Sequence, residues 1–107
     1  IVLTKVSEIL NSQFRSNDIF SRYGGEEFMA VLPGTNKENA YKIASRAITL
    51  VGNTKIYINA EVQVSMTVSA GLSEKYPEDK NYEDIVKRSD QSLYEAKKTG
   101  KNRVCVS

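Results

Sequence analysis

Two adjacent glutamates follow two adjacent glycines in this 107-residue chain, as Gly24, Gly25, Glu26 and Glu27. A carboxylate on a tight turn can bind Mg²⁺, which prefers oxygen ligands and usually also contacts substrate phosphates. The glycines allow backbone N–H groups to approach an anionic ligand closely. Neighbouring residues of a strand point to opposite faces, so one site can use only one of the two carboxylates. On spacing alone, the same four residues also fit a solvent-exposed acidic turn.

A second candidate site is basic, because residues 97–103 contain Lys97, Lys98, Lys101 and Arg103. Lysine acts as a mobile point charge toward phosphates, so this segment could clamp a phosphate group. Lysines in the last turn of a helix also meet the negative end of the helix dipole, which gives a purely structural explanation. Both interpretations stay open at this point.

Arg15 and Asp18 form a third candidate, three residues apart and shortly before the glycines. They would suit a guanine nucleotide, because Arg can stack on a base or donate to a phosphate. Asp can accept hydrogen bonds from the N–H groups of the base. The alternative is an ordinary surface ion pair, which contributes little to stability.

Composition limits the chemistry further, since histidine is absent and Cys105 is the single cysteine. A histidine base, a Ser-His-Asp triad, a Cys/His zinc site and an internal disulfide are therefore excluded in this chain. Cys105 lies between two valines and is predicted to be a small buried hydrophobic residue. Lys plus Arg (15) nearly balances Asp plus Glu (13), a net charge of +2. This balance gives no indication of a nucleic-acid or membrane partner.

Three helices must position these residues. Helical spacing of apolar residues covers residues 1–14, 36–53 and 82–98. Asn36 is predicted to cap the second helix, and Gly100 is predicted to end the third.

Strands alternate with these helices. The pair Gly24-Gly25 predicts a two-residue hairpin turn, and the apolar run 28–32 predicts an interior strand covered on both faces. Strict alternation over residues 62–70 predicts one strand with a single buried face. Two short strands are predicted at residues 55–58 and 103–106. The order of elements predicts an α/β domain, with helices packed on a sheet.

Taken together, these features resemble the GGDEF-domain family, the diguanylate cyclases. The family signature appears in residues 22–28, in the variant with Glu26 at the third motif position. Residues 93–102 are similar to the C-terminal signature of the family, and residues 69–71 also fit its pattern. The resemblance covers the whole chain and implies an α/β fold with a mixed central sheet flanked by helices, as in nucleotide cyclases and ferredoxin-like palm domains.

The resemblance implies an enzyme that condenses two GTP into cyclic di-GMP and two pyrophosphates, as an antiparallel homodimer in which each protomer presents one GTP. Glu26 matches the ligand of Mg²⁺ (or Mn²⁺), which is also assigned as the base for the 3′-hydroxyl, and Glu27 matches the second acidic position. Such phosphoryl transfer depends on positioning and charge neutralisation. The substrate-binding residues implied are Gly24, Gly25, Lys97 and Lys101.

A product site is implied as well. Arg15 and Asp18 match the inhibitory RxxD motif of the family. Arg46 matches the arginine that completes this site from a neighbouring protomer. The resemblance therefore implies feedback inhibition by cyclic di-GMP.

The family domain opens with a strand that carries another metal-binding Asp, followed by helices with a guanine-recognising Asn and Asp. Residues 1–107 are therefore expected to be a single GGDEF domain without its opening strand and first helix, and inactive alone. The resemblance also implies a cytoplasmic location, either for an independent protein or for the cytoplasmic part of a larger sensor.

Two alternative functions stay open: an inactive cyclic di-GMP receptor that uses only Arg15 and Asp18, and a regulatory dimerisation module. The intact Gly-Gly-Glu-Glu-Phe sequence argues against the receptor, because degenerate receptors usually lose that motif.

Overall fold

The computed structural model describes residues 2–107, and Ile1 lies outside them. The three predicted helices form in the expected order, but the first ends at Asn11 and not at residue 14, because the N–H groups of Gln13 and Phe14 donate to carbonyls three residues back and not four. The helices are α1 (Val2–Asn11), α2 (Lys37–Asn53) and α3 (Tyr82–Lys98). The strands are β1 (Ile19–Gly24), β2 (Glu27–Val31), β3 (Lys55–Tyr57), β4 (Gln63–Ser65), β5 (Ala70–Leu72) and β6 (Val104–Val106). In the part of the chain described, no helix combines the length and apolar character needed to cross a bilayer.

Helix α2 begins where the sequence predicts. The Asn36 side chain accepts a hydrogen bond from the N–H of Asn39 at 2.9 Å, which satisfies one of the free donors of the first turn. Its buried stripe recurs at helical spacing and consists of Ala40, Ile43, Ala47, Ile48 and Val51. Capping and amphipathic spacing therefore act together to fix this helix.

Helix α3 is capped in the same way, by the Asn81 side chain accepting from the N–H of Asp84. Two lysines stand in its last turn, where they meet the negative end of the dipole. The helix ends at Lys98, and Gly100 follows in a positive-φ conformation of 136°. The N–H of Lys101 then donates to the carbonyl of Ala96 at 2.8 Å, which closes the last turn. The predicted stop at Gly100 is confirmed.

Strand pairing is both antiparallel and parallel, as expected for a mixed α/β fold, but the strands of residues 2–107 form three separate two-stranded sheets and not one central sheet. Strands β1 and β2 form an antiparallel hairpin, β3 and β4 form a second antiparallel pair, and β5 pairs with β6 in parallel. The predicted single strand over residues 62–70 is wrong, because β4 ends at Ser65 and β5 begins at Ala70. Strand β4 hydrogen bonds to β3, whereas β5 hydrogen bonds to β6, so residues 66–69 belong to neither strand pair.

The core lies where α1, α2 and β3 meet, around Val6, Leu10, Ala47, Val51 and Ile56. Phe20 and Phe28 pack against it, with ring centroids 5.5 Å apart, and Phe14 stacks on Phe20 at 5.4 Å. These aromatic contacts attach the β1–β2 hairpin to the helices.

Two burial predictions are wrong. The run 28–32 is half-buried in its centre, and Val31 is 49% exposed, because within residues 2–107 β2 pairs with β1 alone. Cys105 is half-buried, not fully buried, because β6 pairs only with β5 in the described chain.

Candidate functional site

The hairpin turn is shifted by one residue from the predicted Gly24-Gly25. Gly24 is the last residue of β1 and pairs with Glu27, so the two turn residues are Gly25 and Glu26. Gly25 has φ +47°, a conformation that glycine adopts without steric cost. The register also shifts between Arg22 and Gly24, which places an irregularity immediately before the turn. Glu26 therefore lies at the tip of the hairpin.

Arg22 stabilises this turn, a role that the sequence reasoning missed. Its Nε donates to the carbonyl oxygen of Gly25 at 2.6 Å. A carbonyl in a tight turn has few backbone partners, so it needs another hydrogen-bond donor. A positively charged residue such as Arg22, on the strand just before the turn, is the sequence signal that could have predicted this contact. Arg22 holds the backbone next to Glu26.

Glu26 and Glu27 are both exposed, and neither carboxylate forms an ion pair within residues 2–107. Across the same residues, no three His, Cys, Asp or Glu side chains come close enough together to hold a metal ion by themselves. Mg²⁺ is usually held through one or two carboxylates, while waters and substrate phosphates complete its coordination. The exposed carboxylate of Glu26, next to Gly25 in the turn, fits that mode of binding.

Lys97 and Lys101 flank the end of α3. Lys97 is in the last helical turn, and Lys101 adopts φ 62° just beyond it. Both are exposed, and among the described residues neither forms an ion pair. Two exposed cations at this end can bind an anionic ligand. No hydrogen bond or ion pair within residues 2–107 joins them to the hairpin turn.

Arg15 and Asp18 are brought together as predicted. Arg15 Nε donates to Asp18 Oδ2 at 3.1 Å and Arg15 Nη2 to Oδ1 at 2.9 Å, while the Arg15 backbone N–H reaches Oδ2 at 2.8 Å. The Asp18 side chain is fully covered, whereas that of Arg15 is 53% exposed. The Arg15 hydrogen bonds lower the pKa of Asp18, and the same contact raises the pKa of Arg15. The pair thus presents a covered anion and an accessible cation.

Arg46 is not part of this pair. It is exposed on α2, and no hydrogen bond or ion pair within residues 2–107 joins it to Arg15 or Asp18. Its position leaves the guanidinium open to solvent or to another molecule.

The family model described as "Diguanylate cyclase, GGDEF domain" matches residues 1–103. The chain belongs to the GGDEF domain family.

Among its GGDEF relatives, Diguanylate cyclase A of Treponema denticola is 36% identical over 107 residues, which is all of this chain and 29% of the relative. Diguanylate cyclase DgcZ of Escherichia coli is 36% identical over 103 residues, which cover 96% of this chain and 34% of the relative. The active GGEEF domain of a diguanylate cyclase from Vibrio cholerae is a structural neighbour with TM-score 0.88 and 31% identity. The alignment covers 98% of this chain and 65% of that domain. The chain thus spans about a third of the curated relatives.

Proposed function

We propose that the full-length protein is a diguanylate cyclase that condenses two GTP into cyclic di-GMP and two pyrophosphates. The observation that carries this proposal is the exposed carboxylate of Glu26, held at the tip of a hairpin by Gly25 and Arg22. The Vibrio cholerae neighbour is named as an active GGEEF domain, and this chain has the same five residues at positions 24–28. That likeness supports catalytic competence of the variant with Glu at the third position.

In the reaction, the 3′-oxygen of each GTP forms a bond to the α-phosphorus of the other GTP. The bond from that phosphorus to the bridging oxygen of the β-phosphate breaks, and pyrophosphate leaves with the bonding electrons. Each 3′-hydroxyl gives up its proton, and Glu26 is the proposed acceptor. Two such transfers close the ring.

The other residues bind and neutralise phosphates. Gly25 in the turn and Gly24 at the end of β1 would bring backbone N–H groups close to the phosphates, and Lys97 and Lys101 would balance the phosphate charge. Glu26, with support from Glu27, would hold Mg²⁺ or Mn²⁺, which would supply charge neutralisation at the transferring phosphoryl group. The chemistry needs no histidine or cysteine, in agreement with the composition.

A homodimer is part of the proposal, since each protomer presents one GTP to the other. Arg15 and Asp18 form the proposed product site, and Arg46 of a second copy would complete it. Because GTP is a cytoplasmic nucleotide, we propose a cytoplasmic location for this domain.

The test is the substitution Glu26→Gln in the full-length protein, assayed for cyclic di-GMP and pyrophosphate with GTP and Mg²⁺. Loss of a metal ligand and base removes several kcal/mol of transition-state stabilisation, so the rate should fall far below a tenth of the wild-type value. Glu26→Asp should retain activity, because it keeps the carboxylate. Glu61→Gln, in an exposed loop between β3 and β4, is the matched control.

Three outcomes contradict the proposal. The first is a Glu26→Gln rate above a tenth of the wild-type rate. The second is an equal loss in Glu61→Gln. The third is a wild-type protein that binds cyclic di-GMP without producing it, which would identify a receptor.

A further inference from the structure

Arg15 contacts the turn that follows β2, at residues 33–35. The contacted residues, Pro33 and Thr35, lie 18 and 20 residues further along the chain than Arg15. Gly34 adopts φ +65°, and Thr35 follows it immediately before α2. Arg15 Nη2 donates to the hydroxyl of Thr35 and, more weakly, to the carbonyl of Pro33 at 3.4 Å. The Thr35 hydroxyl in turn donates to the Pro33 carbonyl at 3.2 Å. The hydroxyl therefore connects the turn to the guanidinium.

The side-chain donors of Arg15 show what this contact does. A guanidinium has five N–H donors in a fixed plane. Nε uses its hydrogen on Asp18 Oδ2, and Nη2 uses its two hydrogens on Asp18 Oδ1 and on Thr35. Among the described residues, the two hydrogens of Nη1 have no partner. Asp18 and Thr35 together fix the plane and leave one end free for an acceptor.

We propose that Thr35 is a positioning residue of the cyclic di-GMP site. This inference rests on the proposed product site at Arg15 and Asp18. Asp18 alone would hold the guanidinium along one edge only, and an exposed Arg side chain has many rotamers to lose on binding. The Thr35 hydroxyl removes part of that freedom before the ligand arrives, so less entropy is lost when Nη1 binds a phosphate or guanine oxygen. Thr35 acts through Arg15 and does not itself touch the ligand.

The experiment is calorimetric titration of the full-length protein with cyclic di-GMP. Thr35→Val keeps the shape of the side chain and removes the hydroxyl, and it should raise the Kd about fivefold, because a less constrained Arg15 side chain loses more conformational freedom on binding. Thr35→Ser keeps the hydroxyl and should restore the wild-type Kd. Thr67→Val removes the hydroxyl of an exposed threonine in the segment between β4 and β5, so it should bind as the wild type does.

The outcomes separate this inference from the proposed product site. If Arg15→Ala abolishes binding while Thr35→Val binds like wild type, the product site holds and the role of Thr35 is overturned. If Thr35→Val and Thr35→Ser are equally weakened, the hydroxyl is not the cause and the role is also overturned. If wild type and Arg15→Ala bind cyclic di-GMP equally, the product site itself is wrong and the inference fails with it.

Discussion

Arg88 binds Asp79 through two parallel hydrogen bonds, from Nη1 to Oδ1 at 2.7 Å and from Nη2 to Oδ2 at 2.8 Å. Nη2 also donates to the carbonyl of Glu74 at 2.8 Å, and the guanidinium lies 4.9 Å from the centre of the Tyr76 ring. These contacts attach the polar segment after β5 to helix α3. The Arg88 hydrogen bonds, assisted by the N–H of Tyr76, lower the pKa of Asp79 to about 2.

This pair predicts a specific acid sensitivity. Because the pKa of Asp79 is lower in the folded state, its contribution to stability is complete above the unfolded value near 3.8 and is lost as the pH falls toward about 2. Asp79→Asn should therefore flatten the fall in the free energy of unfolding between pH 4 and pH 2, measured by urea unfolding at each pH. Asp90→Asn, on the exposed face of α3, is the control. A wild-type slope in Asp79→Asn would contradict this prediction.

Gly71 is predicted to be irreplaceable in the packing of β5 on α3. A Cβ at Gly71 would lie 2.0 Å from the carbonyl oxygen of Ser89 and 2.3 Å from the N atom of Leu93, and backbone atoms cannot move aside easily. Gly71→Ala should lower the free energy of unfolding by at least about 2 kcal/mol, measured by chemical denaturation. Gly52→Ala is the control, because its Cβ would meet only the Asn102 side chain at 3.6 Å. A Gly71→Ala protein as stable as wild type would show that the two elements are further apart.

Lys97 and Lys101 should contribute to GTP affinity and have almost no effect on the free energy of unfolding. The double substitution Lys97→Ala and Lys101→Ala should weaken GTP binding at least about tenfold if each lysine contributes a charge-assisted contact to phosphate. The free energy of unfolding should stay within about 0.5 kcal/mol, as is usual for surface positions. Lys98→Ala is the matched control, since Lys98 shares the last turn of α3. Normal GTP affinity with a large loss of melting temperature would favour the helix-dipole explanation.

Arg15 and Asp18 should determine binding of the product. Arg15→Ala or Asp18→Ala should abolish calorimetric binding of cyclic di-GMP, because Arg15 supplies the accessible donor for a phosphate or guanine oxygen and the covered Asp18 holds its guanidinium in place. GTP binding should persist, since Glu26 and the tail lysines are unchanged. Lys5→Ala is a suitable control, because it breaks another pair at three-residue spacing, Lys5 with Glu8 at 3.6 Å. If the wild-type protein binds no cyclic di-GMP at micromolar concentration, Arg15 and Asp18 are an ordinary surface pair.

Much of the helical structure could be predicted from sequence because its signals are local. Asn36 caps a helix through an N–H three residues away, and the turn that closes α3 forms between Lys101 and Ala96. These contacts involve neighbours within about one turn, so the order of residues is enough to specify them. The candidate residues Glu26, Arg15 and Asp18 were found for a related reason, since a motif is a local pattern.

Other features depended on contacts between distant segments. Alternation over residues 62–70 predicted one strand with a single buried face, but pairing of β4 with β3 and of β5 with β6 broke that run in two and left Val62 and Met66 exposed. The turn moved to Gly25 and Glu26 because cross-strand register, and not the glycine pair, decides which residues leave the ladder.

The sequence by itself determined the places of the three helices, the ends of α2 and α3, the chemistry available and the motif residues. Only the tertiary structure showed that Thr35 contacts Arg15, that Arg22 holds the Gly25 carbonyl and that Arg88 binds Asp79. The physical reason is that a side chain's hydrogen-bond partner is fixed by which backbone turn packs beside it. Such packing depends on the summed burial of the whole core, and no local pattern of residues encodes it.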